Sequence, residues 1–244
     1  MPPHSHIPEP QPWSLIRTPL RHLQKLSLVL LASLGCAHAD AEAEPSDSQI
    51  WLSTTIKTNG DKSSRLHYAL EGQIRLSDRA SSIGTLLIRP SVGWRLKPDK
   101  TIAIGYAYVD SPGSKATEHR AWQEFGYHAA GFGRGSLKFR TRLEQRWRSD
   151  RAGPVWRMRQ RLSYSHDLPN STASLLVSDE IFLKLNESES APFLDYEQNW
   201  LFSGLDIPFD QRASLKVGYQ LIHSKGEAMK DSDHVILVSL TKYL

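Results

Sequence analysis

Two arginine runs carry the densest chemistry in this sequence. Lys138, Arg140, Arg142, Glu144, Arg146 and Arg148 fall on one parity, and Arg157, Arg159 and Arg161 follow on a second run. A guanidinium keeps its charge and grips carboxylates or phosphates through paired N–H donors. Such runs form either an anion or sugar site or a ladder that brings its own counter-ions. Glu124, Glu144 and Glu180 are the expected counter-charges. A buried charge needs a partner, and an Arg–Glu network provides one without any ligand. The structural ladder is therefore preferred, with a small anionic solute as the alternative.

Other chemistries have less behind them. A serine nucleophile needs a base within hydrogen-bond reach and a third group to orient that base. His223 and Ser224 are adjacent, so on a strand they face opposite sides. Ser163, Ser165 and His166 sit at another strand end, and no Gly-x-Ser-x-Gly elbow occurs. A lipid-modifying hydrolase stays as an alternative to a non-enzymatic protein. His119, His128 and His166 lack the spacing of metal ligands, so neither metal nor cofactor is expected. The single cysteine is Cys36.

The elements that must position the arginines read as strands. From Ile50 onward, segments alternate in polarity with period two and are separated by turn residues. In 65–77, Leu66, Tyr68, Leu70, Ile74 and Leu76 oppose Arg65, His67, Glu71, Gln73 and Arg75. Segments 50–58, 84–96, 101–109, 118–128, 136–148, 156–165, 174–185, 196–207, 212–223 and 234–243 follow the same rule. In 136–148 a helix competes, because Phe139, Leu143 and Trp147 also recur every fourth residue; the Gly-rich flanks favour a strand. That makes eleven segments. Single-chain bacterial barrels have even strand numbers, so twelve strands are expected, with ten as the alternative.

Alternation alone fits a soluble periplasmic sandwich that binds a ligand, with its apolar faces turned inward. Four features favour a transmembrane antiparallel β-barrel in the bacterial outer membrane. Most segments reach the about 9 to 11 residues that a spanning strand needs. Trp94, Tyr106, Tyr108, Trp147 and Trp156 lie near segment ends, as in an interfacial girdle. Polar loops at 149–154, 187–192 and 225–233 alternate with tight turns at Pro169-Asn170 and Pro208-Phe209. The chain closes on an apolar parity, Ile236, Val238, Leu240 and Leu244, which resembles an insertion signal. The partners expected are outer-membrane lipid and, during insertion, the barrel-assembly machinery. The polar parity then lines a lumen that is structural or a narrow channel.

Bulk properties agree. Mean hydropathy is −0.43, and no stretch nears the about 18 apolar residues of a spanning helix. Barrels hide from such averages because only alternate residues meet lipid. Arg17, Arg21 and Lys25 precede the apolar stretch 26–34 and Ala37-His38-Ala39. That order is a secretory leader cut after Ala39. Residues 1–39 are read as signal peptide, 40–49 as a short periplasmic tail and 50–244 as the barrel. Lipidation at Cys36 is a competing reading. Without the leader, basic and acidic residues number 27 and 25, a balance that points to no nucleic acid.

The order of features also resembles the outer-membrane barrels catalogued as domain of unknown function 2490. The resemblance lies in early Trp51, the strand 140–147 with Arg140, Arg142, Glu144, Arg146 and Trp147, and its partner 157–161. It continues in Glu180, in Asn199 and Gly204, and in Gly218-Tyr219. Trp200 departs from the pattern, which has Arg after Asn199. The resemblance implies the barrel fold and supplies no mechanism.

Overall fold

The computed structural model describes residues 46–58, 65–185, 194–225 and 231–244. Residues 1–45, where a leader, its cleavage site and most of a tail are expected and where Cys36 stands, lie outside the described residues, as does the loop 187–192. The strands are β1 (Ser48–Lys57), β2 (Leu66–Ser77), β3 (Ser82–Lys97), β4 (Lys100–Ser111), β5 (Ala116–Phe132) and β6 (Gly135–Arg148). They continue as β7 (Val155–Asp167), β8 (Ser174–Lys184), β9 (Asp195–Asp210), β10 (Ala213–Ser224) and β11 (Asp231–Tyr243). All eleven periodic segments of the sequence form strands, including 136–148, where a helix was the rival.

Each strand pairs antiparallel with its chain neighbours, and the sheet closes on itself. Closure corrects the expected strand number. Eleven strands form the barrel, and β1 runs parallel to β11 from Ser48↔His234 to Lys57↔Tyr243. A parallel seam permits an odd number because the first and last strands then point the same way. The turn expected at Pro208-Phe209 is also corrected. Both residues lie inside β9, and a register shift at Ala213/Ser214 absorbs them before the turn at 211–212. The turn at Pro169-Asn170 is present, with Asn170 at φ 57°.

The apolar parity faces outward. Leu52, Leu70, Ile88, Ile104, Phe139, Leu162 and Ile236 are exposed. Among the described residues, twelve buried residues are apolar and twelve are polar or charged. A soluble sandwich hides its apolar faces; this barrel displays them and encloses its charges, so the sandwich reading falls.

The two mouths differ. The first, where β1 begins, carries the connections 78–81, 112–115, 149–154, 185–194 and 225–230. The second, where β11 ends, carries 58–65, 98–99, 133–134, 168–173 and 211–212. Bulky buried side chains narrow the lumen toward the first mouth. There Trp51, Ile222 and Val235 form a core cluster against which Trp200 and Leu237 pack. A cavity of about 650 Å³ runs along the lumen, and its lining reaches from Arg148 and Gln198 near the first mouth to Lys57 and His67 near the second. Inward Gly93 and Gly204 make room for the His67 and Phe202 rings.

Candidate functional site

The charged lumen is built by four adjacent strands. Across β6 and β7, Arg140 stands opposite Arg161, Arg142 opposite Arg159 and Glu144 opposite Arg157. β5 sets Glu124 beside Arg142, and β8 sets Glu180 beside Arg161. Period-two geometry turns all of these side chains inward, so the sheet's curvature brings them together.

Glu144, 1% exposed, is the hub. It accepts from Arg157 Nη2 at 2.5 Å and from Arg159 Nη1 at 2.9 Å, and Arg142 approaches at 3.8 Å. Glu180 accepts from Arg159 Nε at 2.7 Å and from Arg140 Nη2. Glu124 accepts from Arg142 Nε at 2.8 Å. Every arginine and glutamate singled out in the sequence thus shares one interior. Arg161 is the outlier, since it donates to Ser178 at 3.1 Å and its Nε has no partner among the described residues.

Sequence reading missed three further carboxylates. Glu118 accepts from Arg120 Nε at 2.8 Å and also from Arg146. Glu197 bridges Arg146 at 3.0 Å and Arg157 at 3.3 Å. Glu71 accepts from Arg89 at 2.7 Å. The inward parity of 65–77 already marked Glu71, and that of 118–128 extends to Glu118. Glu197 joins only through the closure of the barrel.

Aromatic rings share this interior. Arg75 lies 3.7 Å from the Trp51 ring centroid and 5.5 Å from Trp200. Arg142 covers Trp122 at 4.1 Å and Arg159 covers Phe182 at 4.4 Å. A guanidinium over a ring face is stabilised by the ring quadrupole while its N–H edges stay available. Trp200, the departure from the resembled pattern, contributes a ring to this plug.

The cavity is unevenly charged. Twelve Lys or Arg and four Glu line it. With Glu118, Glu144, Asp150 and Asp206 included, twelve cations still face eight carboxylates. Arg75 bonds Gln73, Arg161 bonds Ser178, and Lys216 faces Asp206 in register. Among the described residues, none of these three forms an ion pair.

The other candidate residues lie elsewhere. Trp94, Tyr106, Tyr108, Trp147 and Trp156 are all exposed on the outer surface. His223 bonds Ser232 at 3.2 Å, and Ser224 accepts from Gln198 at 3.1 Å. Ser165 bonds Ser136, and His166 bonds Tyr164. The Ser–His pairings considered from sequence are therefore not made.

The chain is 29% identical over 231 residues to an uncharacterized protein of Methylorubrum extorquens, covering 91% of this chain and 98% of that one. Among solved structures it is similar to a bacterial polysaccharide outer membrane secretin, at TM-score 0.49 and 12% identity over 72% of this chain. It is also similar to the siderophore receptor PirA of Pseudomonas aeruginosa, at TM-score 0.31 and 16% identity over 74% of this chain. The chain spans 63% and 40% of those two proteins, and likeness at this level carries nothing about function. The family model described as Protein of unknown function (DUF2490) matches residues 48–232, from the first residue of β1 into β11, and the chain belongs to that family.

Proposed function

We propose that this is a non-enzymatic barrel of the bacterial outer membrane whose lumen is a cationic pocket for a small anionic solute. The observation that carries the reading is the set of three inward cations, Arg75, Arg161 and Lys216, that line the cavity without an ion pair among the described residues. A ladder needed only for stability would match its charges, because an uncompensated buried charge is costly. An anion entering the cavity supplies the missing partner, and the low-dielectric wall focuses the field that attracts it. The plug of Trp51, Trp200, Ile222 and Val235 favours a pocket over an open channel. The outer apolar surface and the secretory leader support the outer membrane as its location. Short turns mark the periplasmic side of such barrels; the two-residue connections 98–99, 133–134 and 211–212 make the second mouth periplasmic, which puts the start of β1 on the outer side, against the periplasmic tail expected from the sequence.

The test is calorimetric titration of the detergent-solubilised protein with inorganic pyrophosphate at two salt concentrations. Saturable binding that weakens with salt is expected, with at least a tenfold loss in the double variant Arg161→Gln with Lys216→Gln. Binding of equal strength in that variant contradicts the proposal.

A further inference from the structure

The outer wall of the barrel has two different halves. On β10, β11 and β1–β4 the outward residues at mid-strand are apolar apart from Thr54: Val217, Val238, Leu52, Leu70, Ile88 and Ile104. On β5–β9 a polar stripe runs through the same level. Gln123 stands four residues from both His119 and Tyr127, Gln160 four from both Trp156 and Tyr164, and Asp179 four from both Leu175 and Leu183. These flanking residues lie toward the two ends of their strands, so the stripe sits midway between the mouths.

The stripe is hydrogen-bonded from strand to strand. Gln123 and Gln145 exchange bonds of 3.2 and 3.0 Å. Thr141 donates to Gln160 at 2.7 Å. Asn199 donates to Asp179 at 2.5 Å. These bonds fill part of each group's capacity, because a Gln amide offers two donors and two acceptor sites and a carboxylate about four acceptor sites. Asp179 and Gln123 remain exposed. Acyl chains can neither donate nor accept, so polar groups at mid-depth are unfavourable against lipid and act as adhesive between membrane proteins.

We infer that the outer wall of β5–β9 is an interface between two copies of this chain, related by a two-fold axis along the membrane normal. This rests on the outer-membrane reading above. Such an axis brings a surface patch to face itself, and it keeps every residue at its own depth. The stripe suits that symmetry because amides are self-complementary. Where the two convex walls meet around β7 and β8, Gln160 of one copy supplies a donor to Asp179 of the other. Phe125, Phe139, Leu162 and Ile181 flank the stripe with apolar surface that packs around it. The opposite wall, apolar at mid-strand apart from Thr54, stays against lipid.

The experiment places single cysteines in a Cys36→Ser background and oxidises the protein in native outer membranes. Gln160→Cys is expected to give a disulfide-linked dimer, and Ile88→Cys, on the opposite wall, to give monomer. The same samples run unheated and heated on a gel report whether the barrel is folded. Folded protein that stays monomeric at Gln160→Cys, or that cross-links equally at both positions, overturns the inference. Absence of any heat-dependent shift, with the chain recovered in the soluble fraction, overturns the membrane reading beneath it. A second variant, Gln123→Leu with Gln160→Leu and Asp179→Leu, replaces the stripe with apolar side chains, and the same gel shift reports that it folds. It is expected to halve the mass of the protein measured by native mass spectrometry, and an unchanged mass contradicts the inference.

Discussion

Glu144 shows how closely the interior depends on single charges. It is almost fully buried and holds Arg157 and Arg159 in place, with Arg142 close by. Removing one partner of a buried pair costs about 3–5 kcal/mol, because the remaining charge is left uncompensated. Glu144→Gln is therefore expected to lower the urea midpoint of the detergent-solubilised barrel by that equivalent, and a midpoint equal to wild type would show that the network is not structural. The plug makes a second residue-scale prediction. Trp51→Ala with Trp200→Ala removes the two rings that meet edge to face at 5.1 Å and frees Arg75. In a planar bilayer the wild type is expected to give no steady conductance and the double variant to open one. Identical traces would show that these two rings do not close the lumen. The local parity of the sequence exposed Glu144, Glu124 and Glu180. Glu197 stayed hidden, because its partner Arg146 is 51 residues away and period-two patterning says nothing about which strands a lumen brings face to face.

At the scale of elements, alternation set out every strand to within a few residues at its ends. It did so because the two faces meet such different surroundings that a one-residue slip would invert them. Closure left no such mark. The parallel contact of β1 with β11 joins the ends of the chain, and no local pattern distinguishes it from an even-numbered seam. β9 ran past its expected end for a similar reason. Pro208 reads as a turn, yet a register shift accommodates it inside the strand. The glycine rows on the inward face have a more legible purpose. Gly204 and Gly218 stand opposite one another, and a Cβ on Gly218 would come within 2.5 Å of the Ser203 carbonyl and 2.6 Å of the Phe202 ring. Gly218→Val is expected to destabilise the barrel by about 1–3 kcal/mol through overpacking, read as a lower temperature for the folded-to-unfolded gel shift. An unaltered temperature would mean that Phe202 moves aside freely.

For the whole molecule, eleven strands place the start of β1 and the end of β11 at opposite mouths. An epitope in the connection 149–154 and another after Leu244 should therefore be reached from opposite faces of the membrane. Antibody on intact cells is expected to find the first and to miss the second. Equal labelling of both would mean a different closure. Orientation, pocket and pairing face all depend on one arrangement, in which the apolar parity meets acyl chains and the arginine parity is enclosed. Nitroxide labels placed singly along β3 at positions 86 to 95, on the wall that faces lipid, read that arrangement directly in reconstituted vesicles. Collision with dissolved oxygen, which concentrates in hydrocarbon, should peak at 86, 88, 92 and 94 and fall at 87, 89, 91, 93 and 95. A flat profile, or maxima at the arginine positions, would contradict it.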